Sequence, residues 1–153
     1  MMRWSLLILL FCCQPVWCQE ASPGQVARRL YDWALKADYQ TQKKLPEVRD
    51  CFTPELYTQL SRAYAKNPDD GEFLDFDPFS NSQMGADGYD LGTALVEGSR
   101  ARVPVKGRIS RGGETSYSCH LQRQNGRWRV SNFVYSKEFN LMSALKAING
   151  GGK

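Results

Sequence analysis

Residues 69–90 concentrate the side chains that can bind ions or move protons. The stretch holds seven acids, Asp69, Asp70, Glu72, Asp75, Asp77, Asp87 and Asp90, and no lysine or arginine, interleaved with Phe73, Leu74, Phe76 and Phe79. A calcium loop needs oxygen ligands at alternate positions, a glycine sixth and a glutamate twelfth. Counted from Asp75, the fifth residue is Phe79 and the sixth is Ser80, so that chemistry fails on spacing. An acid–base pair needs one desolvated carboxyl and a second group poised on a substrate. The simpler expectation is that Asp77 accepts from nearby backbone N–H groups, as aspartates in turns do. Aromatic anchors beside charges are the make-up of an interface hot spot, and Phe79 is expected to be such an anchor.

His120 is the only histidine. It falls on the polar face of its strand with Ser118 and Ser131, and no acid stands near it in sequence, so it reads as an exposed surface residue rather than a base. Five cysteines are present, of which Cys51 and Cys119 lie beyond the N-terminal segment. Neither belongs to a C-x-x-C pair, and with one histidine they are too few for zinc, which takes about four ligands. No metal and no cofactor is expected. One disulfide, Cys51–Cys119, is expected, because exported proteins keep such bonds.

Export itself is read from residues 1–18. Arg3 precedes an apolar run, Leu6 to Cys13, which is too short for a membrane span of about 20 residues. This is the layout of a secretory signal peptide, with cleavage after Cys18 and Ala21 as the next choice. The expected organisation is a leader at 1–18, one α+β domain at 19–149 and a flexible glycine-rich tail at 150–153. No later apolar run approaches membrane length. The 153-residue chain is 42% hydrophobic and 24% charged, which excludes collagen, rods and low-complexity disorder. Its net charge of +4 is too mild to demand nucleic acid. Residues 98–129 nevertheless carry eight basic residues and one acid, Glu114. Arg102, Lys106, Arg108 and Arg129 are expected to share a wet outer face with Phe133 and Tyr135, where charge steers partner choice more than fold.

The elements that position these residues follow from caps and periodicity. Ser22-Pro23-Gly24-Gln25 is a capping box, opening a helix to about Gln40 whose apolar stripe is Val26, Leu30, Trp33, Ala34 and Ala37. Pro46 to Asp50 forms a turn, and Thr53-Pro54 starts a second helix with Leu56, Leu60 and Ala63 buried. From Gly92 the period is two. Asn125-Gly126 marks a two-residue hairpin that pairs Leu121 with Val130, Cys119 with Asn132 and Tyr117 with Val134. The preceding turn is expected to be a three-residue loop, Gly112 to Glu114, pairing Val105 with Leu121 and Ile109 with Tyr117, since only that parity aligns the buried faces. A first strand near Leu91 to Glu97 and a last helix from Phe139 to Ile148 complete a four-stranded antiparallel meander with helices on one face.

The capped helices, Asp75-x-Asp77-Pro78-Phe79 with Gln83, and Asn125-Gly126-x-Trp128-x-Val130 followed by Tyr135 resemble an uncharacterised family of bacterial secreted proteins. That family is similar to the nuclear transport factor 2-like, cystatin-like, cone-shaped superfamily. The resemblance covers about Gln25 to Tyr135 and implies a cone with a pocket rather than a reaction. Asn132, between Val130 and Val134, is expected either to bond helix backbone or to line that pocket with Tyr117 and Trp33. The candidate binding residues are thus Phe73, Asp75, Phe76, Asp77, Phe79, Gln83, Trp33, Tyr117 and Asn132. The leading expectation is an exported, non-catalytic domain, periplasmic or otherwise secreted, that binds a protein or envelope component. It involves no nucleic acid and no membrane span. The alternatives are a periplasmic inhibitor or immunity protein, and a small isomerase or hydrolase using Asp75 or Asp77 with Tyr117.

Overall fold

A computed structural model describes residues 20–70 and 72–150; the expected leader and the tail past Gly150 lie outside the described residues. Helix α1 spans Pro23–Ala37, and both bonds of its capping box form, with Ser22 Oγ accepting from Gln25 N and Gln25 Oε1 from Ser22 N. It stops short of Gln40 because Asp38 takes φ +50°, a left-handed conformation that no helix continues through. A 3-10 turn leads to the short α2, Thr41–Lys44, and a second to Cys51. Helix α3, Pro54–Tyr64, begins where Thr53 Oγ1 accepts from Leu56 N. Arg29 grips Asp50 with two bonds of 2.6 and 3.0 Å, tying α1 to the turn before α3.

The sheet has five antiparallel strands, not four: β1 Ala86–Leu91, β2 Leu95–Glu97, β3 Arg100–Ile109, β4 Glu114–Gln124 and β5 Arg127–Val134. β1 and β2 both pair with β3 and share one edge. The expected single strand at 91–97 is broken opposite Pro104, which has no N–H to give the ladder. Gly92 lies so close to that ring that a Cβ there would stand 3.0 Å from it. Gly92 N donates to Pro104 O, 2.9 Å.

Two registers differ from expectation. In β3–β4, Val105 pairs with Tyr117 and Ala101 with Leu121, so the turn comes earlier than Gly112 to Glu114. Arg111, Gly112 and Gly113 in succession take positive φ, and Ile109 N bonds Gly113 O at 3.0 Å. The parity is as expected, so the same faces are buried. In β4–β5, Gln124 pairs with Arg127 and Leu121 with Val130, but a bulge follows and sets His120 opposite Asn132 and Cys119 opposite Phe133. One extra residue exchanges the two faces of everything after it. Phe133 and Tyr135 therefore turn inward, 0% and 9% exposed, and leave the basic face on which they were expected.

Helices and 3-10 turns cover the inner face. The core joins Leu30, Tyr31, Phe52, Leu56 and Leu60 to Val103, Leu121, Val130 and Phe133. Cys51 and Cys119 are both buried and free, so the expected disulfide is not formed in this structure. Helix α4, Leu141–Gly150, starts later than Phe139 because Asn140 caps it, its Oδ1 accepting from Ser143 N at 3.0 Å. Gly150, expected to open the tail, is its last residue. Leu141 and Leu145 bury its inner side.

Candidate functional site

The segment between α3 and β1 is docked onto the sheet side at residues 76–80. Asp77 closes a tight turn at its centre: Asp77 N donates to Ser82 O (2.8 Å), Asn81 N to Asp77 O (2.9 Å) and Phe79 N to Asp77 Oδ1 (3.0 Å). Three hydroxyls from the sheet side then hold three successive carbonyls of this turn. Tyr135 OH donates to Pro78 O (2.7 Å), Tyr117 OH to Phe79 O, and Thr115 Oγ1 to Ser80 O (2.7 Å). Each otherwise buried carbonyl is satisfied, which removes a desolvation cost of about 1–3 kcal/mol apiece.

This clamp drives Phe79 into the core. Its ring is 0% exposed and meets Trp33, Phe133 and Phe52 at centroid distances of 5.5, 5.8 and 6.4 Å. Phe79 is therefore a core residue and not the surface anchor expected of it. Trp33 is half-buried, with its Nε1 donating to Glu47 Oε2 at 3.1 Å. Tyr117 lies among Tyr31, Tyr89 and Tyr135, and burial pushes its hydroxyl far above the ordinary phenol range. With Tyr31, Tyr117, Phe79 and Phe133 all buried, aromatic rings fill the space between helices and sheet.

Asp77 is half-buried. Burial raises its pKa, opposed by bonds from the Ser80 side chain and from the backbone N–H groups of Phe79 and Ser80. Its carboxylate is thus occupied in holding its own turn. Asp75 and Gln83 are exposed. Phe76 is half-buried and stacks on Tyr135 (5.8 Å) and Phe139 (5.7 Å). Exposed rings from the segment and its neighbours form a rim around it. Phe73 is 40% exposed at its start, Phe139 41% exposed against Phe76, and Tyr39 76% exposed beside Gly85 at its end. Tyr39 and Phe139 were not singled out in the sequence, because neither lies within the acidic stretch.

Asn132 is not brought to Tyr117. The bulge turns it outward beside His120, where its Oδ1 accepts from Met142 N (2.9 Å) and its Nδ2 donates to Asn140 Oδ1 (3.0 Å). It orients the first turn of α4. The same turn, the start of α3 and the outer sheet face enclose a cleft of about 340 Å³ that contains His120, Ser131, Asn132, Arg100, Glu55 and Lys146. His120 is half-buried there, not exposed as expected, with Ser118 Oγ 3.1 Å from its Nε2. Burial first, and then the positive charge of Arg102, lowers its pKa. Both effects favour the neutral imidazole. Glu55 lines the same cleft but pairs with Lys146 at 3.1 Å. Nothing in the sequence linked residues 55 and 146 to residue 120.

Among the described residues, no three His, Cys, Asp or Glu side chains gather as a metal site, and no helix is long and apolar enough to cross a membrane. No family model matches the chain and no curated protein matches it significantly. It is similar to a crystal structure from Campylobacter jejuni provisionally named an NTF2-like transpeptidase, with 12% identity and a TM-score of 0.42. The match covers 72% of this chain and 98% of that one.

Proposed function

We propose that this chain is an exported, non-catalytic binding domain of cone-like, nuclear transport factor 2-like architecture. It engages a protein partner, in the periplasm or outside the cell, through the aromatic rim around residues 72–85. The observation that carries this reading is the clamp of Tyr135, Tyr117 and Thr115 on three successive carbonyls. Of the groups an isomerase or hydrolase would use in the cone, Tyr117 and Asp77 are bonded to the backbone of the segment, Asp75 is exposed, and rings occupy the interior. The inhibitor reading called for a protruding loop, whereas the carbonyls of Pro78, Phe79 and Ser80 at the middle of this one are bonded to the sheet side. Exposed aromatics set beside Asp75 and Glu138 have the composition of an interface, where a few rings carry most of the affinity.

The test is capture of partners from an envelope extract on the immobilised mature chain, repeated with the double variant Phe73→Ala, Phe139→Ala. A protein retained by the wild type and lost by the double variant, with an unchanged melting temperature, supports the rim. Equal retention by both removes the rim from the reading. A substrate whose turnover stops on Asp77→Asn, with folding intact, replaces it with an enzyme.

A further inference from the structure

The outer sheet face carries more cations than the acids paired with them among the described residues. Lys106 pairs with Glu114, Arg108 with Asp90, and Arg123 with Glu20. Arg100 and Arg102 make no ion pair among the described residues. They stand two apart on β3, so they project from the same face, about 7 Å apart along the strand. Register sets Arg102 opposite His120 and Arg100 opposite Gln122. Arg100 and His120 line both the 340 Å³ cleft and a neighbouring one of about 310 Å³ that adds Arg102, Leu95 and Glu97, the residue across β2–β3 from Arg100. The two hollows therefore share a wall made of a guanidinium and an imidazole, with the second guanidinium beside it.

From this juxtaposition we infer that the two adjoining hollows together form a binding site for a small organic dianion, held by Arg100 and Arg102 with His120 between them. The size suits a small molecule, since ligand pockets begin at about 300 Å³. The lining suits a charged, hydrated one: Gln122, Ser131 and Asn132 supply amide and hydroxyl groups, and no aromatic ring offers an apolar floor. Guanidinium groups hold carboxylate or phosphate oxygens through paired N–H donors. Of the two lining acids, Glu55 is paired with Lys146, and Glu97, across from Arg100 at the smaller hollow, leaves the two guanidiniums in excess. The site shares no lining residue with the aromatic rim.

The experiment follows the His120 ring resonances by NMR in the mature protein, titrated with glutarate, with inorganic phosphate and with acetate at matched ionic strength, so that general screening is common to all. Glutarate is expected to shift the His120 signals saturably and to raise its titration midpoint, with acetate inert. Phosphate acting as well as glutarate identifies a single-centre dianion as the preferred form; phosphate inert identifies a dicarboxylate. Arg100→Ala and Arg102→Ala should each weaken binding about tenfold, the scale of a lost charge-assisted bond. Arg111→Ala, in the β3–β4 turn, should change nothing. Shifts no larger with glutarate and phosphate than with acetate, or shifts indifferent to both arginine variants, overturn the site.

Discussion

Truncating Phe79 separates two accounts of the acidic segment. A surface anchor can be removed at little cost to folding, but the Phe79 ring is fully buried and ringed by Trp33, Phe133 and Phe52. Removing a buried phenylalanine costs about 3–5 kcal/mol, more where the walls cannot collapse. Here the walls are rigid rings, and the neighbouring carbonyls are fixed by Tyr135, Tyr117 and Thr115. Phe79→Ala should therefore fall in the upper half of that range, about 4–5 kcal/mol. That is a large part of the roughly 5–15 kcal/mol by which domains are stable. Urea unfolding followed by tryptophan fluorescence should show the midpoint drop accordingly. Phe73→Ala, from a ring 40% exposed, should stay within about 1 kcal/mol of wild type, near the range of surface substitutions. The reasoning is refuted if Phe79→Ala costs under about 1 kcal/mol, or if it abolishes partner capture at unchanged stability.

Asp77→Asn keeps an oxygen to accept from Phe79 N while removing a charge that burial disfavours. The folded carboxyl has its pKa raised, so its stabilising contribution is full below the unfolded value and lost as pH rises through the folded one. The variant should match or exceed wild-type stability at pH 7, with its advantage shrinking toward pH 3; a less stable variant at pH 7 contradicts this. Asn132→Ala removes the acceptor for Met142 N and should cost about 1–2 kcal/mol, as lost helix caps do; calorimetry showing no loss would remove that role. Burial raises the Cys51 thiol to about 11 and the Cys119 thiol higher still, so neither should react with a disulfide reagent at pH 8 in the native protein. Denaturation without reductant of a chain beginning at Gln19 should then release two thiols, and a count of zero would mean a bond joins them.

Local features of this fold were legible in the sequence wherever the cause was local. Ser22 with Gln25 and Thr53 with Leu56 close their caps through bonds three residues apart. Asn125-Gly126 sets its hairpin and the first pairs beyond it, because a two-residue turn dictates its own register. The alternation of Ala101, Val103 and Val105 named the buried face of β3. The β3–β4 register and the bulge before Asn132 were not legible, because both depend on how the two sheet faces pack. Parity is enforced by burial, whereas a shift that preserves parity leaves every side chain on its proper face and is settled only by tertiary contacts. The bulge decided more than any motif. It carried Phe133 and Tyr135 into the core, gave Tyr135 its grip on Pro78, and turned Asn132 out to α4. Tertiary structure alone also placed Phe79, since an aromatic in an acidic stretch suits a surface or a core equally until three distant hydroxyls claim the backbone around it. The cleft at His120 was likewise invisible, because its walls come from residues 55, 100, 120 and 146, which only the folded chain brings together.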